Sequence, residues 1–229
     1  MARPPSQPWS GLGVTARSRP AAVDLSWLPL GAGGRSVRLN GRVFEAVAAR
    51  LQGRAPCDLY HSALEVRLPG GRRFIVEQAP VPDADGAERG AVAEGPVGVR
   101  WAGRLRVFRY EVRRWPDGLI PDIGEAVESP VRLSGDPLVA RRLWDEVPRI
   151  PTPVWGRDEM GTGEMWNSNS IISWLVTRAG LPVDHLHPPA GGRAPGWHAG
   201  VIAARRTLVP SAGPGIDGVT GSRSRTVAR

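Results

Sequence analysis

Two short stretches carry residue types capable of nucleophilic or acid–base chemistry. One is L-Y-H-S-A-L-E-V, around His61, and the other is E-M-W-N-S-N-S-I-I-S-W-L, around Ser168. A hydroxyl becomes an effective nucleophile only when a base takes its proton, and imidazole is the commonest such base. Each residue also has an ordinary role. Ser and Asn at helix starts cap free N–H groups, so one of Asn167, Ser168, Asn169 and Ser170 is expected to cap. A lone strand histidine usually serves structure.

Other candidates are weaker. His185 and His187, with His198 beyond, have an H-x-H spacing known from metal sites. They lie in the Pro/Gly segment D-H-L-H-P-P-A-G-G-R-A-P-G-W-H, without a carboxylate or cysteine partner set. No metal site is expected there. Gly191-Gly192-Arg193 lacks the strand–loop–helix context of a phosphate loop. Cys57, four residues before His61, is too close along a strand to face it and reads as a small semi-buried residue. No cofactor signature is found.

The elements that must position His61 and Ser168 follow from periodicity. From Asp58 to Leu68 the pattern has period two. Tyr60, Leu64, Val66 and Leu68 share one face, and His61, Ala63, Glu65 and Arg67 share the other. Pro69-Gly70-Gly71 supplies a turn, and Arg73 to Ala79 reads as the return strand of a hairpin. Strand character returns between Val97 and Val112. A helix is expected over Arg42 to Leu51, with Val43, Phe44, Val47 and Leu51 on its packed face and Asn40 and Gly53 at its ends. Asp136-Pro137 opens a second helix, because Asp caps and Pro suits the first helical position. Its stripe is Leu138, Val139, Leu143 and Val147. A third helix begins at Asn167 or Ser168, carries Ile171, Trp174 and Leu175 on one face, and stops at Gly180 and Pro182. Trp174 belongs to its packing face. Trp155 and Trp166 flank the preceding loop and either line a groove or plug the loop onto the body. Helix, strands, helix, loop, helix is an α+β order rather than alternating βαβ.

Residues 1–22 and 207–229, rich in Pro, Ser, Gly and Arg, are expected to be disordered around a single domain over 23–206. The chain of 229 residues is 41% hydrophobic with nine Trp, enough for a real core. All 30 basic residues are Arg, as in proteins from GC-rich bacterial genomes, and the net charge is +8. That excess lies mostly at the ends. Arg3, Arg17 and Arg19 face only Asp24 in the first 24 residues, and Arg205, Arg206, Arg223, Arg225 and Arg229 face only Asp217 from residue 205 onward. A dedicated nucleic-acid binder concentrates charge on a folded face, so none is expected as a specific partner. No apolar run approaches the roughly 20 residues that span a bilayer. The N-terminus has no secretory pattern, and one cysteine excludes an internal disulfide. A cytoplasmic monomer is expected.

The two motifs, in their order, resemble those of circularly permuted papain-like proteins. In that superfamily, which includes NlpC-type peptidases and the lecithin:retinol acyltransferase-like and PPPDE-type branches, a strand histidine in H-S-x-L-E-V or H-T-G-x-E-V precedes an N-C-x-x-F/I helix start. The resemblance covers roughly residues 58–180 and implies an antiparallel sheet packed against the nucleophile-bearing helix. It implies Ser168 as nucleophile, in place of the family's cysteine, and His61 as its base. The implied activity is hydrolysis or acyl transfer at an amide, ester or thioester of a small molecule, peptide or lipid. The serine matters because a helix N-terminus beside a histidine stabilises a thiolate but cannot hold a hydroxyl ionised. Loss of catalysis, leaving a module that binds a peptide, lipid or cell-wall fragment, is the alternative.

A third residue should orient the imidazole. A two-residue Gly70-Gly71 turn pairs Arg67 with Phe74 and Ala63 with Gln78, which then shares the His61 face and is preferred. A three-residue loop slips the register by one and presents Glu77 instead. Glu65, four residues from His61, is too distant.

Overall fold

The computed structural model describes residues 19–31, 45–81, 90–120, 122–189 and 191–208. Among them six strands form one antiparallel sheet: β1 (Ala22–Pro29), β2 (Tyr60–Arg67), β3 (Arg73–Pro80), β4 (Ala91–Pro96), β5 (Arg109–Pro116) and β6 (Val127–Ser134). Their spatial order is β4-β5-β3-β2-β1-β6. Four helices accompany them: α1 (residues 45–51), α2 (Pro137–Glu146), α3 (Ser168–Arg178) and α4 (Trp197–Leu208). The class is α+β, as the element order implies. No helix of the described residues is long and apolar enough to cross a membrane. The ends expected to be disordered lie outside the described residues, except 19–22, which lead into β1, and 207–208, which close α4.

The core lies on one face of the sheet. Val23, Leu25 and Trp27 of β1, Tyr60, Leu64 and Val66 of β2, Phe74 and Val76 of β3, and Tyr110 and Val112 of β5 meet Ile171, Ile172, Leu175 and Val176 of α3. On the opposite face Leu28, Ala63, Ile75 and Ile120 form a smaller cluster. Successive strand residues point to opposite faces, so this division fixes the direction of every β2 side chain.

Helix α3 is the centre of the helical layer. Its residues from Asn169 to Thr177 are all buried, because the sheet covers one side and α4 the other. The α3–α4 approach depends on Gly200. A Cβ there would stand 2.0 Å from the Ser170 carbonyl oxygen and 2.1 Å from the Ser173 hydroxyl, so no larger residue fits without separating the helices. Helix α2 starts as its sequence implies: the Asp136 carboxylate accepts from the Leu138 N–H at 2.8 Å, and Pro137 opens the first turn. Ala140 and Leu143 face the core, whereas Leu138 is exposed.

Several expectations are corrected. No element is expected from the sequence at β1 or β6. β1 does alternate, but the signal is short and follows a Pro- and Arg-rich stretch. β6 contains Pro130, which reads as a breaker; at a sheet edge it removes no needed donor. The expected strand over Val97 to Val112 is instead a single bridge from Val97 to Trp155, two 3-10 turns (Arg100–Arg104 and Arg106–Phe108) and the first residues of β5. Gly98, at φ +73°, and Gly103, against Pro96, turn the chain out of the sheet.

Helix α1 presents a different face from the expected one. Val47 and Leu51 are exposed, and Glu45 and Ala49 are buried; Val43 and Phe44 lie outside the described residues. The reason is a polar anchor. The Glu45 carboxylate pairs with the Arg54 guanidinium and accepts from the Cys57 N–H at 3.1 Å. Arg54 first, aided by Cys57 against the opposing burial, holds the Glu45 carboxyl at about 2.

The β2–β3 hairpin has the longer loop. Arg67 pairs with Arg73, Val66 with Phe74 and Leu64 with Val76, and the Leu68 N–H donates to the Arg72 carbonyl at 2.8 Å. This overturns the pairing of Arg67 with Phe74. Gln78 therefore falls on the α3 face, and Glu77 shares the His61 face.

Candidate functional site

The start of α3 is locked in place by amides and hydroxyls. Asn167 is the cap: its Oδ1 accepts from the N–H groups of Asn169 and Ser170 at 2.9 and 3.3 Å. Ser170 Oγ accepts from the Asn167 N–H at 3.1 Å, which completes a reciprocal capping box. Ser170 also donates to the Gly196 carbonyl at 2.7 Å. Asn169 Nδ2 donates to the carbonyls of Tyr60 and Pro195, and its Oδ1 accepts from the Ser62 hydroxyl at 2.9 Å. Of Asn167 to Ser170, only Ser168 has neither a hydroxyl nor an N–H partner among the described residues. It therefore keeps a polar first-turn edge of the helix available.

That edge opens on a cavity of about 250 Å³ lined by Gln78, Ala79, Val97, Val107, Arg109, Tyr110, Trp155 and Ser168. Strands β3 and β5 form its floor, since Gln78 pairs with Val112 and Ala79 with Glu111 in the ladder. The Gln78 Oε1 atom is buried without a hydrogen-bond partner among the described residues. Leaving such an acceptor unmet costs about 1–3 kcal/mol. The phenol of Tyr110 is spoken for: it donates to the Pro153 carbonyl at 2.9 Å, and burial pushes its pKa up. Gly95 of β4 makes room for its ring, as a Cβ there would come within 2.4 Å of it. Arg109 is tied to the carbonyl oxygen of Gly103 and to Glu94 at 3.2 Å. Half-exposed Trp155 and Val97 close the rim.

His61 is not part of this cavity. It lies opposite Leu28 on β1 and alternates with Tyr60 and Ser62, whose side chains face the α3 side. Its ring therefore points to the other face of the sheet, with Ala63 of the smaller cluster. Burial pushes the imidazole down, and nearby Asp122 partly opposes that. The expected Ser168–His61 pair is corrected on this ground: the sheet itself separates the two side chains. Gln78 is likewise no orienter for His61, because the register puts it on Ser168's side. Glu77 does share the His61 face, but Arg113 holds its carboxylate at 3.4 Å while also pairing with Glu111. Glu65 pairs with Arg67 at 2.9 Å and Arg73 at 3.1 Å.

The remaining candidates lie outside this cavity. The Cys57 thiol donates to Glu45 at 3.3 Å, and burial pushes its pKa up, which removes thiolate character. Gly192 allows the Tyr60 ring to lie against the backbone, and the Arg193 N–H donates to the Asp58 carbonyl at 2.9 Å. His185, His187 and His198 are not brought together, and no group of three metal-binding side chains forms among the described residues.

The structure thus unites Ser168 with Gln78 and adds Tyr110, Arg109, Val97 and Val107, which sequence reasoning did not single out. Trp155 is the flagged tryptophan that lines the groove. For Tyr110 the available signal was its place in R-V-F-R-Y-E-V, a strand pattern that put one aromatic on the core face. Compared with known proteins, the chain matches no family model, no curated protein and no solved structure.

Proposed function

We propose that this protein is a binding module, without covalent catalysis, whose cavity takes an amide-bearing ligand. The observation that carries the reading is Gln78, whose buried Oε1 is unmet, lining the same cavity as Ser168 with its unpartnered hydroxyl and N–H. With the Gln78 amide turned into the cavity, its acceptor and the two donors of Ser168 complement the N–H and C=O of an amide. Val97, Val107, the Tyr110 ring and Trp155 offer apolar surface for the rest of the molecule. Short peptides, N-acyl amino acids and the lactyl-peptide part of cell-wall fragments all have this chemistry.

The serine hydrolase reading lacks its base. The cavity lining contains neither imidazole nor carboxylate, and a hydroxyl without a base in hydrogen-bond reach is a poor nucleophile. A permuted papain-like ancestry is part of the proposal. Its support is the antiparallel sheet laid against a helix that begins at Ser168, with a histidine strand earlier in the chain.

Thermal shift with a panel of N-acetyl amino-acid amides tests the reading. At least one member should stabilise the wild type and should fail on Gln78→Leu. Without ligand, Gln78→Leu should match or exceed wild-type stability, because it removes the unmet acceptor. Equal ligand shifts in both proteins, or no shift in the wild type, would end the proposal.

A further inference from the structure

Five of the eleven exposed large hydrophobic side chains among the described residues lie in one place: Trp101, Leu105, Val107, Phe108 and Trp155. Trp101, Val107 and Phe108 belong to the two 3-10 turns between β4 and β5, and Leu105 joins those turns. Trp101 and Val107 are 72% and 74% exposed, and every residue from Arg104 to Phe108 is exposed. The segment is nevertheless built rather than loose. Ala102 is buried beneath it, and its N–H donates to the Val99 carbonyl at 3.2 Å. The N–H groups of Leu105 and Phe108 donate to Ala102 and Leu105, at 2.9 and 3.0 Å. Arg109 ties down the carbonyls of Gly103 and Arg104. Secured backbone with outward apolar side chains points to a surface that meets something apolar.

The charges identify what it meets. The order is Arg100-Trp101, then Arg104-Leu105-Arg106-Val107-Phe108, so guanidinium groups alternate with apolar side chains. Arg100 pairs with Glu159 at 2.7 Å in an exposed pair. Arg104 and Arg106 have no ion-pair partner among the described residues. A protein interface gathers apolar residues in a centre with charges at its rim. Alternation along an exposed segment instead suits a bilayer interface, where Trp and aliphatic side chains enter the acyl boundary and arginines reach anionic headgroups. Nucleic acid is disfavoured, because Leu105 and Val107, between the aromatics Trp101 and Phe108, offer bases no stacking surface, and Glu94 and Glu159 flank the segment.

We propose that the segment from Arg100 to Phe108 docks the protein onto an anionic lipid bilayer, with Trp101, Leu105 and Phe108 inserted at the interface and Arg104 and Arg106 on headgroup phosphates. This goes beyond the amide-binding reading and does not depend on it, since Trp101, Leu105 and Arg106 lie outside the cavity lining.

The test is co-sedimentation of the full chain with vesicles of phosphatidylcholine alone or with roughly a quarter phosphatidylglycerol. The wild type should bind the anionic vesicles. The double variant Trp101→Ser, Leu105→Asp should bind about tenfold more weakly, as should Arg104→Glu, Arg106→Glu. Circular dichroism and thermal melting confirm that each variant, altered only at exposed positions, is folded. Brominated-chain lipids should quench wild-type tryptophan fluorescence, and Trp101→Phe should remove part of that quenching. Absence of vesicle binding overturns the proposal. So does binding that survives both double variants, which would assign adsorption to the Arg-rich ends. Self-association of the wild type that is lost in Leu105→Asp, without vesicle binding, would make the segment a protein interface and overturn it equally.

Discussion

The Ser62 hydroxyl donates to the Asn169 side-chain oxygen, 2.9 Å away, across the buried seam between β2 and α3. The bond follows from the face that β2 turns to the helix, the one that buries Tyr60, Leu64 and Val66. With Ser62 turned toward α3, its neighbour His61 turns away, and Ser168 is left beside Gln78 rather than beside an imidazole. Replacing Ser62 by Ala should cost about 1 kcal/mol in urea unfolding. Asn169→Ala should cost roughly 2 kcal/mol, because the Tyr60 carbonyl also loses its donor. The double variant should cost less than the sum, by about 0.5 kcal/mol or more. Strict additivity would mean that the two groups do not interact.

Capping and site roles are divided between adjacent residues. Asn167 makes the cap, with two accepted N–H bonds and a third bond from its own amide to the Pro195 carbonyl. Asn167→Ala should therefore lose about 1–2 kcal/mol of stability. Ser168→Ala should lose less than about 0.5 kcal/mol, as no hydrogen bond among the described residues depends on its hydroxyl. Chemical denaturation of the two single variants checks this. Similar losses would return Ser168 to a structural role.

His61 adds a pH dependence of known sign. Burial lowers its folded-state ionisation below the ordinary value of 6.5. As pH falls past that value, the unfolded chain takes up the proton before the folded one does. The contribution is thus present above about pH 6.5 and lost as the pH falls toward the depressed folded value. His61→Asn should flatten this part of the stability profile, measured by urea midpoints across mildly acidic pH. An unchanged slope would place the imidazole in water.

Much of the framework was legible because local chemistry fixes it. Asp136-Pro137 set the start of α2, Pro69-Gly70-Gly71 set a hairpin, and Gly180 ended α3. Period two also put His61 on the face away from Tyr60, Leu64 and Val66. The amphipathic α3 had to cover that apolar face, so parity alone opposed the dyad that the H-S-A-L-E-V resemblance implies. What was not legible depends on distant partners. A one-residue difference in the Leu68–Arg72 turn moved Gln78 from one face to the other. The cavity needed β5, whose start was obscured because residues 97–108 have strand-like composition yet leave the sheet. β6 was hidden by Pro130, harmless only because nothing pairs beyond that edge among the described residues.

Titration of isotope-labelled full-length protein with N-acetyl amino-acid amides, followed by amide chemical shifts, tests the central claim most directly. The account predicts saturable shifts at the Ser168 N–H and the Gln78 side chain, none at His61 beyond background, and no hydrolysis of the ligand. Saturable shifts centred on His61, or ligand cleavage that requires both His61 and Ser168, would contradict it.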